Sequence, residues 1–199
     1  GGIQEVVINL HHLGARISEH VGDGARFGLA VRYSVEDQIL DTGGGIKRAE
    51  PLLQGEPFVV VNGDSLLELR LREIVGFHEA HGGLATIAVR PDPEAVRYGL
   101  VELDAADRVR RIAGQPAGVG DAGLRPFMFP GLQVMEPGIF QWMAAGTAFG
   151  ITRVTYPRLL AADVPVFGCV TSGRWLTIDT PEALAAADVA YRTRPFDFS

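Results

Sequence analysis

Two kinds of apolar pattern take turns along the chain, short β-branched runs and apolar residues at helical spacing. Glu5–Leu10 holds Val6-Val7-Ile8, a run typical of a strand buried on both faces. Leu13, Ile17 and Val21 then recur at helical spacing, and Gly22-Asp23-Gly24 ends that helix. Leu29–Tyr33 alternates apolar and polar and reads as a strand, followed by a polar loop over Ser34–Thr42. Gly43-Gly44-Gly45 leads into a helix through about Leu53, and Pro57 closes the connection. Phe58–Val61 reads as a deeply buried strand that runs straight into Asn62-Gly63-Asp64. A helix over Leu71–His81, capped by Gly82-Gly83, precedes a strand over Leu84–Val89. Strands alternating with helices over this half predict βαβ units and a mostly parallel, doubly wound sheet.

The second half patterns differently. Tyr98–Leu103 and Arg108–Ile112 flank Asp104–Asp107 as a hairpin, and Gln115–Pro126 is a Gly/Pro/Ala loop. Phe127–Met135 returns to strand, Pro137–Met143 is a short helix opened by proline, and Thr155–Ala162 is another helix. Strands over Val164–Val170 and Trp175–Ile178 precede a final Ala-rich helix, Pro181–Tyr191, with Thr180 as its N-cap. A hairpin-rich middle turns the expected architecture into an α/β fold with a mixed, mostly parallel sheet flanked by helices. No repeat, low-complexity tract or linker divides the chain, so residues 1–199 read as one domain. The opening GGIQEVVINL reads as the end of a helix-to-strand turn and then a core strand, which leads us to expect an N-terminally truncated domain.

Composition narrows the function classes. At 199 residues, 47% hydrophobic and 21% charged, the chain is long enough and apolar enough for a sizeable core. Its net charge of −6 argues against a general nucleic-acid binder. No apolar run approaches the ~20 residues of a membrane helix and no signal peptide is present, so no membrane partner and a cytoplasmic location are expected. The single Cys169 excludes an intrachain disulfide and a cysteine metal cage, and fits a core position within its strand.

Three segments hold candidate chemistry. Asn62-Gly63-Asp64 lies at the carboxyl end of a strand, where open parallel sheets bind ligands. Gly63 permits close backbone approach or positive φ, and Asp64 supplies a hard oxygen of the kind Mg²⁺ takes together with substrate phosphates. The plainer alternative is a strand-ending turn with Asp64 as a helix cap. Asp41-Thr42-Gly43-Gly44-Gly45 offers a close backbone approach and N–H groups at a helix start, or else a flexible glycine turn. It is not a P-loop, because Lys47 follows Ile46 and precedes Arg48. Asp179 is either a second carboxylate at the sheet edge or a helix-dipole partner beside Thr180. The histidines carry less: His11 and His12 point to different sides, and His78 and His81, one turn apart, read as a solvated helix face.

Taken together and in order, VVINLHHLGARISEHVGDGARFGLAVRYS, LDTGGGIKRAEPLL, FVVVNGDSL, YGLVELDAADRVRRI and WLTIDTPEALAAAD resemble the sugar-1-phosphate nucleotidyltransferase family over nearly the whole chain. The resemblance implies a Rossmann-like domain in which a sugar 1-phosphate attacks the α-phosphorus of a nucleoside triphosphate, pyrophosphate leaves, and Mg²⁺ holds phosphate oxygens. By the family pattern Asp64 is the catalytic metal ligand. Thr42, Gly43 and Gly44 lie where the family contacts base and ribose, Asn62 adjoins the metal ligand, and Gly99 meets the sugar through its backbone. A homo-oligomer is compatible with the family.

Three departures qualify what the resemblance implies. The family's GxGTRL loop with its following PK, which cradles the triphosphate, has no counterpart in the sequence, so the domain is expected to lack its N-terminal strand and phosphate-binding loop. The closing W-x-D-I-G-T-P motif has Thr177 in place of its metal-binding Asp, with Asp179 in place of the Gly and a candidate substitute ligand. The family's E-K-P is Gly114-Gln115-Pro116, without the lysine that meets the sugar phosphate. Thr177 and Gln115 keep open a non-catalytic relative that binds a nucleotide sugar and regulates a partner. A glycosyltransferase consuming a nucleotide sugar is a further alternative, weakened by the lack of Asp-x-Asp around Asp64.

Overall fold

The computed structural model describes residues 2–53, 55–118, 120 and 122–197. The expected Gln115–Pro126 loop includes Val119 and Asp121, which lie outside the described residues, as does Gly1 of the opening segment.

The first unit is β1 (Glu5–Leu10), α1 (Gly14–Val21) and β2 (Ala30–Val35), with the two strands paired in parallel from Glu5↔Ala30 to Leu10↔Val35. β2 continues two residues beyond the expected strand because Ser34 and Val35 still pair with Asn9 and Leu10. Helix α2 (Asp41–Ala49) then begins earlier than the sequence suggests and takes all three glycines into its first turns.

The central sheet has the order β10-β5-β9-β3, made of β3 (Phe58–Val61), β5 (Ala85–Val89), β9 (Leu132–Met135) and β10 (Val166–Val170). β5 and β10 are parallel, but β9 runs antiparallel to both β3 and β5. The sheet is therefore mixed, and among the described residues parallel pairing is confined to β1–β2 and β5–β10. The cause is the route into β9. The chain arrives from an antiparallel unit of β6 (Leu100–Leu103), β7 (Val109–Ile112) and β8 (Arg125–Met128), ordered β7-β6-β8. Met128 at the end of β8 exchanges both backbone hydrogen bonds with Arg90 just past β5, so the chain already runs antiparallel to β5 there, and it enters β9 in the same sense through an irregular step at Phe129-Pro130-Gly131, with Gly131 at φ 90°. That step divides the single strand expected over Phe127–Met135 into two pieces that keep one direction.

Every residue of β5 is buried, so its two faces serve two cores. Ala85, Ile87 and Val89 join Met135, Ile139, Tyr156 and Leu159 on one side, where Phe58 stacks on Phe140 at 5.4 Å. Ala88 joins Ile74, Val134 and Cys169 on the other, under α3 (Leu71–His81). Full burial of a side chain such as Ile87 stabilises by about 1.5–3 kcal/mol. His78 belongs to this interior and not to a solvated face: it is 3% exposed, with Nδ1 2.9 Å from Thr86 Oγ1 and Nε2 3.3 Å from Glu136 Oε1. Of the two, His81 alone is exposed, stacked on Phe77 at 3.8 Å.

Three short helical or strand pieces complete the frame: α4 (Ala95–Tyr98), α5 (Thr155–Ala161), and the antiparallel pair β4 (Ser65–Leu67) and β11 (Trp175–Thr177). The last helix, α6 (Pro181–Thr193), starts at Thr180, whose hydroxyl accepts the Ala183 N–H at 3.1 Å, the expected N-cap. Among the described residues β1 pairs only with β2 and β3 only with β9, so each keeps a free edge, and Val61 is 54% exposed. No helix among the described residues is long and apolar enough to cross a membrane.

Candidate functional site

β3 ends where its β-branched run meets Asn62, whose N–H donates to the Gly131 carbonyl at 2.8 Å. A Cβ on Gly131 would come within 2.6 Å of the Asn62 side chain, so only glycine lets Asn62 lie against this step between β8 and β9. The same step borders Gly99: Phe129 N–H donates to the Gly99 carbonyl at 3.1 Å, continuing the β6–β8 ladder. Gly99 sits at φ 134° where α4 ends, a conformation that explains the residue without reference to a ligand. Asn62 and Gly99 thus both bond to the three residues Phe129–Gly131. Gly63 has open space on its Cβ side and is not among the residues with positive φ, so neither requirement expected of it applies.

Asp64 follows, and its backbone carbonyl accepts the Ile178 N–H at 2.8 Å. That bond continues the β4–β11 ladder, in which Ser65 pairs with Thr177. The segments carrying Asp64 and Asp179 therefore meet at one end of this two-stranded ribbon, although they are far apart in sequence. Both carboxylates are exposed, and no Lys or Arg forms an ion pair with either among the described residues. Among the described residues the Asp64 Oδ1 accepts only from Ser65 Oγ, at 3.3 Å. No group of three or more His, Cys, Asp or Glu able to hold a metal is present among the described residues. Two uncompensated carboxylates nevertheless fit Mg²⁺, which commonly takes one or two protein carboxylates and fills its remaining positions with phosphate oxygens and water.

The second part of the site is the start of α2. Gly43, Gly44 and Gly45 are buried, and each is required by packing. A Cβ would lie 2.2 Å from the Phe149 ring at Gly43, 2.5 Å from the Thr147 carbonyl at Gly44, and 2.6 Å from Glu36 Oε1 at Gly45. The N–H groups of Gly43 and Gly44 both point to the Phe149 carbonyl, at 2.8 and 3.3 Å. The glycines are thus neither a flexible turn nor a set of free N–H donors. Thr42 stays exposed, its hydroxyl accepting the Ile151 N–H at 3.0 Å, beside Asp41 at φ 59°. No hydrogen bond or ion pair joins Thr42–Gly44 to the Asp64 end among the described residues.

Sequence reasoning missed Glu36, placed in a polar loop. It is only 5% exposed, and its carboxylate is shared between Asn9 Nδ2 on β1, at 2.8 Å to Oε1, and the Leu40 N–H, at 2.9 Å to Oε2. Its own N–H donates to the Leu10 carbonyl at 2.8 Å. Glu36 thereby ties the end of β1 to the residue that caps α2. An acidic residue five positions before an Asp-Thr-Gly run was the available signal, but only burial distinguishes it from Asp37, which is exposed.

The β6–β7 hairpin contributes a charge pair, Glu102 with Arg111, directly opposite in the ladder with Arg111 Nε 2.7 Å from Glu102 Oε2. Gln115, in the E-K-P position, exchanges both backbone hydrogen bonds with Ile112, at 2.8 and 2.9 Å. Burial, followed by Glu73 and Asp107, pushes the Cys169 thiol up to about 11, which fits an inert core residue. An open cleft of about 650 Å³ between Gln141–Ala144 and Arg158 contains none of the candidate residues.

A family model described as nucleotidyl transferase matches residues 1–192. The UTP–glucose-1-phosphate uridylyltransferase of Synechocystis sp. is 26% identical over 190 residues, covering 89% of this chain and 48% of that protein. The mannose-1-phosphate guanylyltransferase of Mycobacterium tuberculosis is 27% identical over 186 residues, covering 91% of this chain and 50% of its own length. The chain spans about half the length of these curated relatives. The fold also matches the crystal structure of HddC from Yersinia pseudotuberculosis complexed with GMP-PN, with a TM-score of 0.77, 21% identity, and coverage of 96% of this chain and 80% of that one.

Proposed function

The chain belongs to the nucleotidyl transferase family, and we propose on that premise that it is the catalytic domain of an enzyme joining a sugar 1-phosphate to a nucleoside triphosphate. A phosphate oxygen of the sugar 1-phosphate attacks the α-phosphorus, the bond from that phosphorus to the bridging oxygen breaks, and pyrophosphate departs with the electron pair. The products are an NDP-sugar and pyrophosphate.

The observation that carries this reading is the meeting, at the ribbon end beside the carboxyl end of β3, of the two backbone segments that bear the exposed carboxylates Asp64 and Asp179. Mg²⁺ held there would neutralise phosphate charge and fix the line of displacement, which is most of what such a transfer requires. Thr177, opposite Ser65, supplies no charge, so Asp179 takes the place of the second acidic ligand. Asn62 and Gly99, each bonded to the Phe129–Gly131 step, face the sugar through main-chain and amide groups. Thr42 faces the nucleotide, and Gly43 and Gly44 act by letting α2 pack closely enough to fix it.

The free edges of β1 and β3 support a further part of the reading: a strand carrying the triphosphate loop pairs between them and joins the two sheets. The relatives named above support the substrate class, a nucleoside triphosphate and a sugar 1-phosphate.

The test is a pyrophosphate-release screen of the full-length protein, crossing the common triphosphates with several sugar 1-phosphates. Release that needs both substrates and Mg²⁺ supports the transferase. Tight binding of an NDP-sugar without release under any pairing supports instead the non-catalytic relative, which Thr177 and Gln115 favour.

A further inference from the structure

The ribbon that carries Asp64 and Asp179 is a two-stranded ladder of three residue pairs, and neither β4 nor β11 pairs with another strand among the described residues. Isolated two-stranded ribbons are marginally stable in water, so this one needs support from outside. Leu67 gives part of it by packing on the second core cluster. The rest lies at the end of the ribbon away from the two carboxylates.

There Glu68 N–H donates to the Arg174 carbonyl at 2.8 Å, extending the ladder, and Arg174 Nε donates back to Glu68 Oε2 at 2.9 Å. A Cβ on the neighbouring Gly173 would lie 1.7 Å from the Glu68 carbonyl oxygen, so the two backbones approach as closely as glycine allows. The segment after α6 crosses this junction. The Pro195 carbonyl accepts from Arg174 Nη2 at 2.9 Å, the Phe196 ring lies 4.5 Å under the guanidinium, and Asp197 N–H donates to Glu68 Oε1 at 2.8 Å. Phe196 is buried at 7% exposure, with Tyr191 of α6 against its edge at 5.8 Å. Arg70 lies 3.9 Å from the Asp197 carboxylate. One guanidinium thus uses its Nε, its Nη2 and its face at once, which a lysine ammonium does not reproduce.

We propose that Glu68 and Arg174, strapped by Pro195–Asp197, are positioning residues that hold the Asp64 and Asp179 strand ends in register. Glu68 is four residues from Asp64, about 13 Å along an extended chain, so neither it nor Arg174 touches a reacting group. Their action is through the ladder: a shift of β11 against β4 moves Ile178 and Asp179 relative to Asp64. The part of this inference that concerns metal rests on the reading of Asp64 and Asp179 as metal ligands; the part that concerns register does not.

The test uses Glu68→Gln, Arg174→Lys and Phe196→Leu in the full-length protein, with two readouts. The first is hydrogen exchange of the Ile178 amide, which bonds the Asp64 carbonyl. The second is Mn²⁺ affinity, measured by electron paramagnetic resonance with a nucleoside triphosphate present. Exchange at Ile178 is expected to rise at least about tenfold in all three variants, more than at β5 amides. Mn²⁺ affinity is expected to fall about three- to tenfold, while turnover at saturating Mg²⁺ stays within about twofold of the parent. Unchanged Ile178 exchange in Glu68→Gln and Arg174→Lys overturns the strap, as does a rise spread evenly over the core. Faster Ile178 exchange in a protein whose parent binds no Mn²⁺ upholds the strap and overturns the metal reading. Unchanged Mn²⁺ affinity beside faster exchange overturns the coupling between them.

Discussion

Replacing Glu36 by alanine removes the only acceptor the structure gives to two donors, Asn9 Nδ2 and the Leu40 N–H. A buried donor left without a partner costs about 1–3 kcal/mol. Asn9 is exposed and regains water when its partner is lost, so its share is small. The Leu40 amide is half-buried at the start of α2 and bears most of the loss, about 2 kcal/mol in local stability. That corresponds to about thirtyfold faster exchange of the Leu40 amide, measured by native-state hydrogen exchange. Glu36→Gln should behave differently. Its amide oxygen keeps the Leu40 N–H, and the Asn9 amide turns so that its oxygen accepts from the new NH₂, which limits the cost to about 1 kcal/mol or less. Under the proposed function, the alanine variant also raises KM for the triphosphate more than KM for the sugar phosphate, because Thr42 lies just beyond Leu40. Equal exchange rates for the alanine and glutamine variants, or a Leu40 rate within about twofold of the parent, would refute this account of Glu36.

Three further outcomes follow from the same geometry. In the full-length protein Asp179→Asn should lower activity steeply, with the loss partly relieved by more Mg²⁺; unchanged Mg²⁺ dependence there, with a gain in Thr177→Asp, shows that Asp179 is a helix-start residue worth about 0.3–1 kcal/mol. The Glu68 carboxyl is held at about 2, below its ordinary 4.5, first by the hydrogen bond from Arg174 and then by that from Asp197 N–H. Its contribution to stability is therefore complete above about pH 4.5 and is lost as pH falls toward 2, so Glu68→Gln should be less stable at neutral pH and lose less on acidification; parallel stability–pH curves contradict this. Residues 1–199 expressed alone should self-associate through the free β1 and β3 edges, and a monomer with a sharp melt like that of the full-length protein contradicts the proposed intervening strand.

Local pattern made some elements legible and topology hid others. Val6-Val7-Ile8 and Phe58–Val61 announce strands by their β-branched runs, although the burial expected of them is not met: Val6, Val7, Ile8, Val59 and Val60 are half-buried and Val61 is exposed; Thr180 announces its helix because an N-cap is a local device. The antiparallel sense of β9 was not legible, since Leu132–Met135 reads the same in either direction and only its continuation from β8, already antiparallel at Arg90–Met128, fixes its sense. Gly43-Gly44-Gly45 misled for a related reason. Glycine serves close approach of any kind, and here the approaching groups are Phe149, Thr147 and Glu36 from the chain itself. His78 looked solvated because its partners Thr86 and Glu136 belong to other elements. In the site, Asp64 stood out at a strand end, but its meeting with the Asp179 segment depends on β4–β11, and β4 is too short for its pattern to register.

Transfer of a nucleotidyl group onto a sugar phosphate is read by ³¹P nuclear magnetic resonance of the full-length protein. With Mg²⁺, a sugar 1-phosphate and the matching triphosphate, the account predicts a new pair of coupled diphosphate-ester signals growing in step with pyrophosphate. In Asp64→Asn both should slow by at least about 100-fold, since the loss of one metal-binding carboxylate removes several kcal/mol of charge stabilisation, while the folded protein still binds the triphosphate. Orthophosphate instead of the diphosphate ester, or an Asp64→Asn rate within a few-fold of the parent, would contradict the account.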